Sequence, residues 1–131
     1  MIIKLDFDSE IPIYVQLRNQ IVVGIGKGEL KQGEKLPTVR QLAEDLGINN
    51  MTVNKAYGIL KNEGFISIDR RHGAKINPTL SPNIDFREKL EDELLLVISE
   101  VSLKGLEKEE FMEMCNKIFN TMKGVKANTR G

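Results

Sequence analysis

Apolar residues recur four apart at Ile13, Leu17, Ile21 and Ile25, which predicts a helix with one apolar stripe. Pro12 stands where a first helical turn tolerates it, having no N–H to leave unpaired. Gly24, Gly26 and Gly28 are read as the end of that helix. Before it, Ile2 to Phe7 alternates roughly between apolar and polar, as a short strand or extended arm would. After it, Leu30 to Pro37 reads as a loop. Thr38-Val39-Arg40-Gln41 has the form of a capping box and starts a second helix, with Val39, Leu42, Ala43 and Leu46 inward. Gly47 stops that helix in a left-handed conformation. Asn49 is a good cap for a third, whose inward stripe is Val53, Ala56, Tyr57 and Leu60 and which Gly64 ends.

Phe65 to Asp69 alternates again, Arg70-Arg71-His72-Gly73 interrupts it, and Ala74 to Asn77 resumes an extended run. This predicts a hairpin with a basic tip. Pro78, Ser81, Pro82 and Asn83 mark a linker over 78–83 and a domain boundary. Two more helical patterns follow within 84–123. Phe86, Leu90, Leu94, Val97, Ile98 and Val101 form the stripe of the first, which Lys104-Gly105 ends. Leu106, Phe111, Met114, Cys115, Ile118, Phe119 and Met122 form that of the second. Residues 124–131 carry no apolar pattern and read as a flexible tail.

The 131 residues suit one domain, or a small domain with an appendage. At 40% hydrophobic and 29% charged, the chain belongs with globular rather than disordered or fibrous proteins. Lys+Arg and Asp+Glu number 19 each, which excludes a uniformly basic coat but not a local basic surface. A single cysteine, Cys115, cannot form an internal disulfide; a reducing compartment, the cytoplasm, is the expectation. No secretory leader is read, and no apolar run is long enough for a membrane span. No Trp and only two Tyr leave little surface for stacking carbohydrate or single-stranded bases.

Helix, tight glycine turn, helix and basic-tipped hairpin is the layout of a winged helix-turn-helix. Such a fold lays one helix in the DNA major groove, where exposed side chains read base edges. The outward face of the third predicted helix is polar and free of acids. Asn50 and Asn54 can pair bidentately with adenine, Met51 and Thr52 can meet thymine methyls, and Lys55 and Lys61 can reach phosphate or guanine. Arg40 can reach a phosphate or a base, and Arg70 and Arg71 can track the backbone. Other chemistry finds no support. The lone His72 and distant Cys115 make no zinc site, so no metal or cofactor is expected. Gly24 to Gly28 lacks the spacing of a phosphate loop. Glu91 to Glu93 and Glu109-Glu110 lie on polar helix faces without a basic partner. No nucleophile–base pair stands out, so an enzyme is not expected.

The ordered string Pro12-Ile13-Tyr14-Val15-Gln16-Leu17, Gly28, Leu30, Gly33, Lys35-Leu36-Pro37-Thr38-Val39-Arg40, Leu42-Ala43, Leu46-Gly47, Thr52-Val53, Lys55-Ala56-Tyr57, Leu60, Glu63-Gly64 and Gly73 resembles the GntR family of bacterial transcription regulators. The resemblance covers about residues 10–77. Only some fifty residues follow it, which is similar to the YtrA-like subfamily, whose short helical tail dimerises and whose members often control transporter operons. Asn49 and the Lys55-Ala56-Tyr57 run fit that subgroup. The resemblance implies DNA contacts at Thr38, Arg40, Asn49, Asn50, Met51, Thr52, Asn54, Lys55 and Lys61, and at the wing tip Arg70, Arg71, His72 and Gly73. Family members often carry arginine where Asn50 and Asn54 stand, so this chain is expected to favour A·T-rich sites. The wing often shows Gly-x-Gly, and Arg71 replaces the first of those glycines.

The expected architecture is mostly α with a small β-hairpin: a winged helix-turn-helix in 1–77, a linker in 78–83 and a two-helix hairpin in 84–123. Leu90, Leu94, Val97, Ile98, Val101, Phe111, Cys115, Ile118, Phe119 and Met122 are expected to bury against a second copy, giving a two-fold homodimer. The expected partner is a double-stranded, palindromic operator, and the expected action is repression. Winged helices also serve as protein-interaction modules, a reading that predicts an acidic or apolar outward face instead of this polar one. A small-molecule effector is left open, since no pocket chemistry shows in the sequence.

Overall fold

The computed structural model describes residues 2–79 and 81–123. The chain divides into two compact units, one built on residues up to Thr79 and one on residues 80–122. The tail expected over 124–131 lies outside the described residues.

The first unit holds α1 (Ile13–Gly26), α2 (Val39–Leu46), α3 (Asn50–Asn62), β1 (Ile66–Asp69) and β2 (Gly73–Ile76). The strands form one antiparallel pair, with Ile66 opposite Ile76 and Asp69 opposite Gly73. Its core joins Leu17 and Ile21 of α1, Leu42 and Ala43 of α2, and Val53, Ala56, Tyr57 and Leu60 of α3 to Ile66, Ala74 and Ile76 of the hairpin. The helical members are among the inward positions that periodicity predicts, while Ile25, Val39 and Leu46 of the same stripes pack against this core only partly buried. Leu30 and Leu36, from the connection between α1 and α2, complete it.

That connection is more ordered than a loop reading allows. Gly33 N–H donates to Ile76 O, Ile76 N–H to Glu34 O, and Leu36 N–H to Ala74 O, at 2.8–2.9 Å. Lys35 thereby bridges Lys75 along the outer edge of β2. Gly33, Glu34 and Lys35 are exposed and only Leu36 is buried, so the segment carries no alternating pattern. Gly24 also differs from expectation. It lies inside α1 and is buried, and the helix runs on to Gly26. Its carbonyl accepts Glu29 N–H at 2.9 Å and Leu30 N–H at 3.2 Å as the chain doubles back. A Cβ there would sit 3.4 Å from Leu30 Cδ1, so the glycine admits the returning chain. The turn itself falls at Gly28, with φ +86°.

The N-terminal arm is an extended segment, not a strand, and two glutamines one turn apart on α1 hold it. Gln16 Oε1 accepts Asp6 N–H at 2.8 Å, and its amide donates to the carbonyls of Asp6 and Ile11. Gln20 pairs with both backbone groups of Lys4 in the same way. Each side-chain amide satisfies the arm's backbone as a neighbouring strand would.

The second unit holds α4 (Ile84–Leu103) and α5 (Lys108–Asn120). Asn83 Oδ1 caps α4 by accepting Phe86 N–H at 2.7 Å. Gly105, at φ +81°, ends it, and Leu106 N–H returns to Val101 O at 3.1 Å. Met122 lies beyond the end of α5, which stops at Asn120 with Thr121 as its cap, the Thr121 hydroxyl donating to Ile118 O. Neither helix buries a single residue within the chain. Leu90, Leu94, Val97, Ile98, Ile118 and Phe119 are all exposed, while Val101, Phe111, Cys115 and Met122 are half-buried.

Candidate nucleic-acid interface

The geometry begins with the turn between α2 and α3. Gly47 adopts φ +68°, and Ile48 N–H donates to Ala43 O at 3.0 Å. Asn49 then returns to extended backbone, and its Oδ1 accepts Met51 N–H at 2.7 Å to start α3. At the head of α2, Thr38 Oγ1 accepts Gln41 N–H at 3.0 Å. The return bond from Gln41 that a full capping box would add is not among the hydrogen bonds of the described residues. Thr38 and Asn49 thus spend their side-chain oxygens as helix caps. The Thr38 hydroxyl hydrogen and the Asn49 amide nitrogen are left to donate outward.

Burying Val53, Ala56, Tyr57 and Leu60 turns the opposite side of α3 to solvent. Asn50, Met51, Asn54, Lys55 and Lys61 are exposed there, and Thr52 is half-buried. Met51, at 77% exposure, is an uncovered apolar side chain in the middle of this polar surface. Arg40, in the first turn of α2, is exposed. The Tyr57 hydroxyl, buried under α3, donates to Pro37 O at 2.7 Å and so ties α3 to the residue before the α2 cap. Burial pushes the Tyr57 phenol far above its ordinary range, which keeps it a neutral donor.

At the hairpin tip, Asp69 Oδ1 accepts His72 N–H at 2.6 Å, and His72 Nδ1 lies 3.2 Å from both Asp69 oxygens. The His72 backbone N–H, and after it the His72 ring, hold the Asp69 carboxyl below its usual range. Gly73, at φ +72°, closes the turn. His72 is therefore folded back onto an acid though still exposed, and Arg70 and Arg71 stand exposed beside it, in no ion pair among the described residues.

Two acids near this surface are already occupied. Asp69 faces His72, and Glu63, at the end of α3, pairs with Arg18 Nε of α1 at 2.9 Å. Among the described residues, Arg40, Lys55, Lys61, Arg70 and Arg71 sit in no ion pair. Five cations among the predicted contact residues thus lack a carboxylate partner, while zero formal charge characterises the chain as a whole. Sequence reading missed Tyr14, whose ring lies 4.0 Å beneath the Lys55 ammonium. No local pattern announces a contact between residues so far apart on different helices.

A three-helix unit with a capped glycine turn and a basic wing defines the winged helix-turn-helix class of DNA-binding regulators. A model of the bacterial regulatory proteins of the gntR family matches residues 13–76, from α1 to the end of β2. The chain is 34% identical over 128 residues to the transcriptional repressor YtrA of Bacillus subtilis, spanning 96% of this chain and 98% of that protein. Among solved structures, YtrA of Sulfolobus acidocaldarius, a GntR-family transcription factor, is 40% identical and aligns with a TM-score of 0.65 over 76% of this chain and 99% of that one. A transcriptional antiterminator from Listeria monocytogenes shares the fold, with a TM-score of 0.84 over 96% of each chain at 24% identity. The chain belongs to the GntR family and is a DNA-binding transcription regulator. Since the Bacillus relative matches along nearly its whole length, the likeness takes in α4 and α5 as well as the wing.

Proposed function

We propose that the protein is a cytoplasmic transcriptional repressor that binds a palindromic operator as a homodimer. The observation that carries this reading is the outward side of α3, which is exposed, polar and free of acids, on a unit whose α2 and hairpin tip also expose Arg40, Arg70 and Arg71. In the proposed docking, α3 enters the major groove, with Asn50, Met51, Thr52 and Asn54 on base edges. Arg40, Lys55 and Lys61 take phosphates or guanine. The caps Thr38 and Asn49 donate to the backbone, and Arg70, Arg71, His72 and Gly73 lay the wing along it. Residues 1–77 read DNA, 78–83 link, and 84–123 dimerise.

The dimer is supported by α4 and α5, whose apolar stripes bury nothing within one chain. A second copy supplies the missing cover through a two-fold interface, which puts two reading heads on half-sites about one helical turn, ~34 Å, apart. The near full-length likeness to a named repressor supports repression. Transporter operons are the class of target the subfamily points to.

Selection of bound duplexes from a random library, with recovered DNA retested at several salt concentrations, tests the proposal. A palindromic, A·T-rich consensus whose affinity falls steeply with salt is the expected result. Recovery of no consensus overturns it and favours a winged helix that binds protein.

A further inference from the structure

We infer that Tyr14 is a positioning residue for DNA binding: its ring holds the Lys55 ammonium ready to meet a phosphate. This rests on the reading of Lys55 as a phosphate contact. Tyr14 lies in the first turn of α1 and is half-buried, and Lys55 is exposed on the outward side of α3. The ammonium stands 4.0 Å from the ring centroid, within the range where the ring's negative face attracts a cation. Among the described residues, Lys55 has no carboxylate partner and the Tyr14 hydroxyl has no hydrogen bond. The ring face is therefore what fixes the lysine.

A free lysine loses rotamer freedom when it grips a phosphate, and that loss subtracts from affinity. A lysine already resting on an aromatic face has lost much of it beforehand. The ammonium carries three N–H donors, and contact with the ring leaves donors directed away from it to meet phosphate oxygens. The contact also spans α1 and α3, so the cation is fixed to the body of the winged unit as well as to the reading helix.

The test has two arms. In the free full-length protein, NMR should show the Lys55 side-chain protons shifted upfield by the ring current. That shift should survive in Tyr14→Phe and vanish in Tyr14→Leu. With the consensus duplex recovered by selection, Tyr14→Leu should weaken binding about two- to fivefold, the scale of an exposed cation–π contact. Tyr14→Phe should restore it. In a Lys55→Met background, Tyr14→Leu should cost nothing further, since the residue acts through the lysine.

No ring-current shift overturns the contact itself, whatever the DNA results. A loss in Tyr14→Leu that persists without Lys55, or an equal loss in Tyr14→Phe, overturns the positioning role and makes Tyr14 a direct or structural contributor. Unchanged affinity in Lys55→Met refutes the role of Lys55, and with it this inference, while the operator-binding reading stands. Failure to recover any duplex refutes the operator-binding reading, and this inference with it.

Discussion

The Tyr57 hydroxyl and the Pro37 carbonyl meet at 2.7 Å, joining the middle of α3 to the residue that precedes the α2 cap. That bond adds to the core packing of Leu42 and Ala43 against Val53 and Ala56, which holds the helix that carries Arg40 against the helix that presents Asn54. Tyr57 is 2% exposed, so it also fills the core between them.

Tyr57→Phe keeps the ring and leaves the Pro37 carbonyl without this donor, and should destabilise the protein by about 1 kcal/mol in urea unfolding. The pH dependence has a definite sign. The phenol is harder to ionise folded than unfolded. Stability from this group is complete below its unfolded value of about 10 and falls as pH rises beyond it. The variant should lose that alkaline decline, measured as urea midpoints across the alkaline range.

Arg40 is exposed and sits in no ion pair among the described residues, so Arg40→Ala should leave stability within about 0.5 kcal/mol. Operator affinity should fall at least tenfold, and the slope of log affinity against log salt should shrink by about one. Normal operator binding by this variant would refute the docking proposed for α2.

Gly58 lies in the interior of α3, and a Cβ built there meets nothing within 4 Å. Its backbone is helical, so Gly58→Ala removes unfolded-chain freedom without strain. The variant should gain about 0.5–1 kcal/mol, read as a raised Tm. A lowered Tm would reveal a packing role that the open space around Gly58 does not show.

Leu94 and Ile98 stand one turn apart on α4 and are 42% and 46% exposed. Leu94→Glu places a charge in the proposed dimer seam, where burial without a partner is costly. Sedimentation should show a monomer, with the circular dichroism of the winged unit intact and operator affinity sharply reduced. A variant that stays dimeric would place the seam elsewhere.

Sequence alone determined the parts of the fold that depend on neighbours in the chain. The stripes of α1, α2 and α3 follow from 3.6-residue periodicity. The caps at Thr38 and Asn49 follow from a short acceptor side chain before an apolar run, and the helix stop at Gly47 from the left-handed backbone it must adopt. The motif order was enough to show the GntR likeness, because each motif is a local string. Tertiary structure decided what depends on residues far apart. Only the closed core brings Gly33–Leu36 to the edge of β2, lets Gly24 receive the returning chain, and seats Tyr14 under Lys55. Only the folded tip shows that His72 turns onto Asp69 while Arg70 and Arg71 face no acid among the described residues. Hydrophobic periodicity records which side of an element is covered. It carries no record of which distant group covers it, because burial is non-directional whereas hydrogen bonds and cation–π contacts are set by geometry.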